Sequence, residues 1–136
     1  MTDQLVRDAM VSEPFALDAS RTAKEAGEAL SRPEVRAVLV CDDSELVGVI
    51  TRKTLVREVV AAGRDPSATT LGDIVEPPNF TIESTMGLDQ AFAFLEERDL
   101  ERVPVVEDGK LVGVLSRAVI QRRLAEDEPP PELEPV

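Results

Sequence analysis

Two short stretches carry the residues best suited to chemistry, and they say nearly the same thing: LVGVITRKTL at 46–55 and LVGVLSRAVI at 111–120. In each, an apolar run ends in a hydroxyl residue, Thr51 or Ser116, followed at once by Arg52 or Arg117. A hydroxyl where a strand gives way to a helix is a natural N-cap. Behind such a cap lie free backbone N–H groups and the positive end of the helix dipole, and a guanidinium in the first turn adds a full charge. That combination suits an anion, a phosphate above all. Arg57, Arg122 and Arg123 lie further along the same helices, where they could reach toward phosphates. The bland alternative is that Thr51 and Ser116 simply cap helices whose arginines are solvated.

Most other chemistry is excluded by composition. The chain has no histidine, so it has neither a Ser–His nor a Cys–His nucleophile and no histidine metal site. Phosphate-loop and dinucleotide glycine motifs are missing. Asp42-Asp43 and Glu96-Glu97 read as solvated carboxylates in a turn and on a helix face, so no catalytic and no metal residue is assigned. Cys41 is the one cysteine, which rules out an internal disulfide and, within the run VLVC, suggests a buried thiol. Net charge is −12, with Lys and Arg dispersed and aromatics scarce, which argues against nucleic acid and anionic membranes. The start carries no basic-then-apolar leader and no apolar run approaches membrane-spanning length, so the expectation is a soluble cytoplasmic protein.

The repeated phrase belongs to a longer duplication. Sliding the sequence by 65 aligns 8–59 with 73–124 without a gap. Identical pairs include Asp8/Asp73, Phe15/Phe80, Ala26/Ala91, Leu30/Leu95, Val38/Val103, Val40/Val105, Gly48/Gly113, Arg52/Arg117 and Arg57/Arg122. Each copy reads as a short strand at Phe15–Leu17 or Phe80–Ile82, then a helix capped by Ser20 or Thr85. The helix faces are Ala23, Ala26, Gly27, Leu30 and Leu88, Ala91, Phe92, Leu95, both at i, i+3, i+4, i+7. A hairpin follows, AVLVC to LVGVI or VPVVE to LVGVL, turning at Asp42–Glu45 or Asp108-Gly109. A second helix, Arg52–Ala62 or Arg117–Ala125, closes the copy. The fold class is therefore α+β, two β-α-β-β-α repeats. A unit of this size cannot cover its own apolar sheet face, so the copies are expected to pack sheet to sheet with pseudo-two-fold symmetry. The divisions are 1–62, a linker at 63–70 holding Gly63 and Pro66, 71–125, and an acidic proline-rich tail at 126–136 expected to be disordered.

The hairpins "RAVLVCDDSELVGVITR" (36–52) and "RVPVVEDGKLVGVLSR" (102–117), with the openings "VRDAM" (6–10) and "LGDIV" (71–75), resemble the CBS-domain pair, or Bateman module. The resemblance covers residues 5–125. It implies a regulatory module rather than an enzyme, taking AMP, ADP, ATP or a related phosphorylated ligand in clefts between the repeats. It further implies a homodimer and, with no catalytic neighbour in this chain, a protein target regulated in trans. Within that family the turn usually reads G-h-h-(S/T)-x-x-D, with the Asp bonding both ribose hydroxyls. Here Thr54 and Val119 stand at those places.

A carboxylate offers two acceptors to two adjacent donors; threonine offers less and valine nothing. The first repeat is thus the better ribose site. The resemblance also brings in Pro104 as an adenine-slot proline, where the first repeat has Leu39. Val38 and Val103, at the strand positions just before, complete the candidate ligand set of Thr51, Arg52, Thr54, Arg57, Ser116, Arg117, Val119 and Arg122. The rival expectation is a ligand-free dimerisation or protein-interaction module, motivated by the absence of that Asp from both copies.

Overall fold

The computed structural model describes residues 3–12 and 14–127. In chain order its first half holds α1 (Val6–Ala9), β1 (Val11–Ser12), β2 (Ala16–Asp18), α2 (Ala23–Leu30), β3 (Ala37–Asp42), β4 (Glu45–Thr51) and α3 (Arg52–Leu55). After a π-helical stretch at Val56–Val60 come α4 (Leu71–Ile74), β5 (Ile82–Glu83), α5 (Leu88–Glu97), β6 (Arg102–Glu107), β7 (Lys110–Ser116) and α6 (Arg117–Asp127). The α+β class and the duplicated β-α-β-β-α order are as the sequence predicts.

Packing divides the chain into two units, and the division crosses the repeat boundaries at the lead-in helices. The first-repeat unit runs from residue 14 to 80 and includes 108–111. Here β2 lies parallel to β3, and β3 antiparallel to β4. Its buried core joins Ala26, Leu30, Val38, Val40 and Ile50 to Leu71 and Ile74 of α4. The second-repeat unit holds residues 3–12, 81–107 and 112–127. There β5 runs parallel to β6, and Leu88, Ala91, Leu95, Val103, Val105, Leu115 and Ile120 form a core with Val6 and Ala9 of α1. Each lead-in helix therefore closes the core of the other copy's strands.

The glycines at 48 and 113 follow from the same exchange. Val49 N–H donates to the Glu76 carbonyl at 2.8 Å, and Glu76 N–H returns a bond to Val49 at 3.1 Å. A Cβ on Gly48 would collide with that Glu76 carbonyl. In the second-repeat unit β1 pairs with β7, and a Cβ on Gly113 would lie 2.8 Å from the Val11 carbonyl oxygen. Only glycine lets an incoming backbone approach a strand this closely. The hairpin turns are equally similar: Asp43 and Ser44, like Asp108 and Gly109, all have positive φ, the paired left-handed conformation of a two-residue type I′ turn.

Several boundaries differ from expectation. Helix α2 is capped by Thr22, whose hydroxyl accepts from Glu25 N–H at 3.3 Å. Ser20 instead folds back and donates its hydroxyl to Asp18 Oδ2 at 2.6 Å. Thr22 stands three residues before Glu25, where its hydroxyl reaches a free N–H of the first turn, and Ser20 lies two residues too early to do so. In the second copy the cap position is Gly87, not Thr85. The helix expected over Arg52–Ala62 is α-helical for one turn and then widens, with Ala61 N–H bonding the Val56 carbonyl five residues back at 2.8 Å. Val56, Val59 and Val60 are β-branched, which weakens the α preference there. Helix α6 continues two residues past Ala125 to Asp127, and the tail from 128 onward lies outside the described residues.

Candidate functional site

The first-repeat turn is built by a reciprocal cap. Strand β4 delivers Thr51 in an extended conformation, and its hydroxyl accepts from Thr54 N–H at 3.3 Å. Thr54 Oγ1 in turn accepts from Thr51 N–H at 3.1 Å and lies 3.0 Å from Thr51 Oγ1. The Thr54 hydroxyl also donates to Glu76 Oε1 at 3.0 Å. A hydroxyl has one proton and two lone pairs. Donating to Glu76 obliges Thr51 to be the donor in the hydroxyl–hydroxyl contact, so Thr54 Oγ1 is fully occupied by its own chain. The residue is completely buried.

Two arginines flank this turn and differ in what they face. Arg57 pairs with Glu76 Oε1, the same oxygen that Thr54 reaches. Arg52 is exposed and donates to the Arg32 carbonyl at 2.9 Å, a neutral partner, and among the described residues no carboxylate pairs with it. Glu76 itself is anchored by the two backbone bonds to Val49 already described. The turn thus gathers Thr51, Arg52, Thr54 and Arg57, together with one carboxylate that carries no sequence signal.

The second-repeat turn is simpler. Ser116 Oγ accepts from Val119 N–H at 3.1 Å, so the cap is one-sided. Val119 has no hydroxyl to return the bond and packs against the core of its unit. Arg117 is paired with Asp99 at 3.4 Å and with Glu101 at 2.6 Å, and its side chain is only 22% exposed. Its charge is therefore neutralised locally, and its backbone N–H bonds the Glu101 carbonyl at 2.9 Å. Arg122 is exposed on α6. Val38 and Val103 are buried at 0% and 1%, as core residues of β3 and β6, while Pro104 beside Val103 is half-buried.

Cys41 is half-buried, and burial, with Asp18 nearby, pushes its thiol pKa up. Asp18 is held below the usual carboxylate range, first by the Ser20 hydroxyl and then by the Ser20 N–H. Among the described residues no three His, Cys, Asp or Glu side chains converge as metal ligands, and no helix is long and apolar enough to cross a membrane.

Comparison with known proteins agrees with this architecture. The CBS domain family model matches twice, over residues 6–61 and 71–126. The chain belongs to the CBS-domain family and carries two copies of the domain, as a Bateman-type pair. Hypoxic response protein 1 of Mycobacterium tuberculosis is 28% identical over 121 residues, covering 88% of this chain and 85% of that protein. The crystal structure of Hypoxic Response Protein I with two coordinated zinc ions superimposes with a TM-score of 0.73 at 26% identity, over 88% of this chain and 98% of that one. CBSX2, solved in complex with AMP, gives a TM-score of 0.70 at 25% identity, over 90% of this chain and 97% of that one.

Proposed function

We propose that this chain is a non-catalytic regulatory module of the cytoplasm that senses an adenosine nucleotide at the first-repeat turn. The observation that carries this reading is the exposed Arg52 beside the Thr51 cap, which pairs with no carboxylate among the described residues, set in a fold whose relative CBSX2 was solved with AMP. Arg52 offers a guanidinium to a phosphate in a place where Arg117, its repeat mate, is already taken by Asp99 and Glu101. The signal would pass to a protein target in trans. A thermal-shift series with AMP, ADP and ATP tests the proposal. Ligand at about a hundred times its Kd stabilises a folded protein by about 2.7 kcal/mol, several degrees for a domain of this size. No shift with any of the three at millimolar concentration refutes it.

A second reading, a dimerisation or partner-docking module, has its own support. A groove of about 500 Å³ runs between α2 and the π-helical stretch, floored by Ala23, Gly27, Leu55 and Val59. Val60 at its edge is 73% exposed and Val56 nearby 57%. A homodimer that covers these valines is expected to fall apart when Val60 is replaced by Asp. Light scattering that gives one mass for both proteins counts against it.

A further inference from the structure

One carboxylate in the first-repeat turn is fixed from two directions. Its backbone is clamped to Val49 across Gly48, by bonds of 2.8 and 3.1 Å. Its side chain is held by the Thr54 hydroxyl at 3.0 Å and by Arg57. Both side-chain contacts fall on Oε1, so Oε2 takes part in neither. Glu76 keeps 41% of its side chain exposed, so the carboxylate is open to solvent.

These contacts change what the turn offers a ligand. Thr54 has no hydrogen-bonding capacity left, and the Arg57 charge is answered by Glu76. A phosphate arriving at this end of the turn meets a carboxylate, and like charges repel. A hydroxyl group meets an acceptor oxygen already aimed and already charged, which is the stronger kind of partner for an O–H donor.

We propose that Glu76 is the specificity-determining residue of this turn, an acceptor for sugar hydroxyls that selects the ribose end of an adenosine ligand over its phosphate end. The inference rests on the adenosine reading above. It moves the carboxylate from position 54 to position 76, supplied by the segment leading into the second repeat. Thr54 and Arg57 become positioning residues that aim it. Phosphate, where present, is left to Arg52.

The experiment is calorimetric titration of the full chain with adenosine and with 2′,3′-dideoxyadenosine, for the wild type and for Glu76→Gln. Hydrogen bonds to a charged group are strong enough that the wild type should favour adenosine by about tenfold or more. Glutamine keeps an oxygen for Thr54 and Arg57 but loses the charge, so the preference should fall to about threefold or less while dideoxyadenosine affinity stays within about twofold. Glu76→Asp, which keeps the charge but retracts it by one methylene, should lose the preference too and serves if the Gln variant does not fold. A preference that survives both substitutions overturns the proposal and leaves Glu76 as a mere counter-ion of Arg57. Wild-type binding without any preference overturns it alone, with the nucleotide reading intact. Failure of the wild type to bind either compound overturns the proposal, and the nucleotide reading falls with it only if AMP, ADP and ATP also fail to shift the melting of the protein.

Discussion

The carbonyl of Glu76 occupies the space that a side chain on Gly48 would need. Gly48 is thereby tied to a residue of the other repeat's lead-in, and the tie accounts for a glycine that interrupts an otherwise apolar strand. Gly48→Ala should destabilise the protein by about 3 kcal/mol or more, because a backbone carbonyl cannot move aside as a side chain can. Gly113→Ala should cost less: its nearest neighbour, at 2.5 Å, is the flexible Met10 thioether, although the Val11 carbonyl also crowds it. Urea denaturation of the two variants gives the order, and equal or reversed losses would show that the close approach at Gly48 is relieved by strand movement.

Replacing Thr54 by Val removes a buried hydroxyl while keeping shape. The Thr51 N–H loses an acceptor and the Glu76 carboxylate loses a donor. A loss of about 1–3 kcal/mol is expected, since groups left unpaired carry the desolvation cost. The thermal midpoint should fall by several degrees. A midpoint unchanged within a degree would mean that the cap web contributes nothing net.

Arg117→Ala should destabilise by about 1 kcal/mol, more than the exposed Arg52→Ala, because Arg117 is mostly shielded and makes two carboxylate contacts. The loss should shrink in 1 M salt, which screens charge pairs. Indifference to salt would assign the effect to packing of the arginine stem instead.

Cys41 should react slowly. Its raised pKa lowers the thiolate fraction at neutral pH, and the thiol is partly buried. Alkylation by iodoacetamide at pH 7.5 should be several-fold slower than for glutathione and should accelerate as pH rises well past the ordinary thiol range. A rate matching glutathione would place the thiol in free solvent.

The duplication, both hairpins, their turns and the α+β class were legible because they rest on local patterns that occur twice: alternation, a two-residue turn, a helical apolar face. The cap of α2 was equally legible in Thr22 and Glu25, and Ser20 distracted from it. Glu76 was not legible. It lies 22 residues from Thr54, in the stretch VEPPN that has no period, and only backbone pairing with Val49 brings it to the turn. Asp99 and Glu101 escaped for a similar reason, since a carboxylate in a loop gives no sign of which arginine it will neutralise. Val38 and Val103 lie in the buried cores of the two units. Their identity between copies is accounted for by packing, since both are core positions of β3 and β6.

The exchange of lead-in helices bears on the origin of the molecule. A chain with a single copy would carry a lead-in unable to close its own core, because α1 belongs with the strands of the second repeat and α4 with those of the first. Such an ancestor could complete itself only by trading lead-ins with a second molecule. Gene fusion would then have made permanent, within one polypeptide, an embrace that began between two.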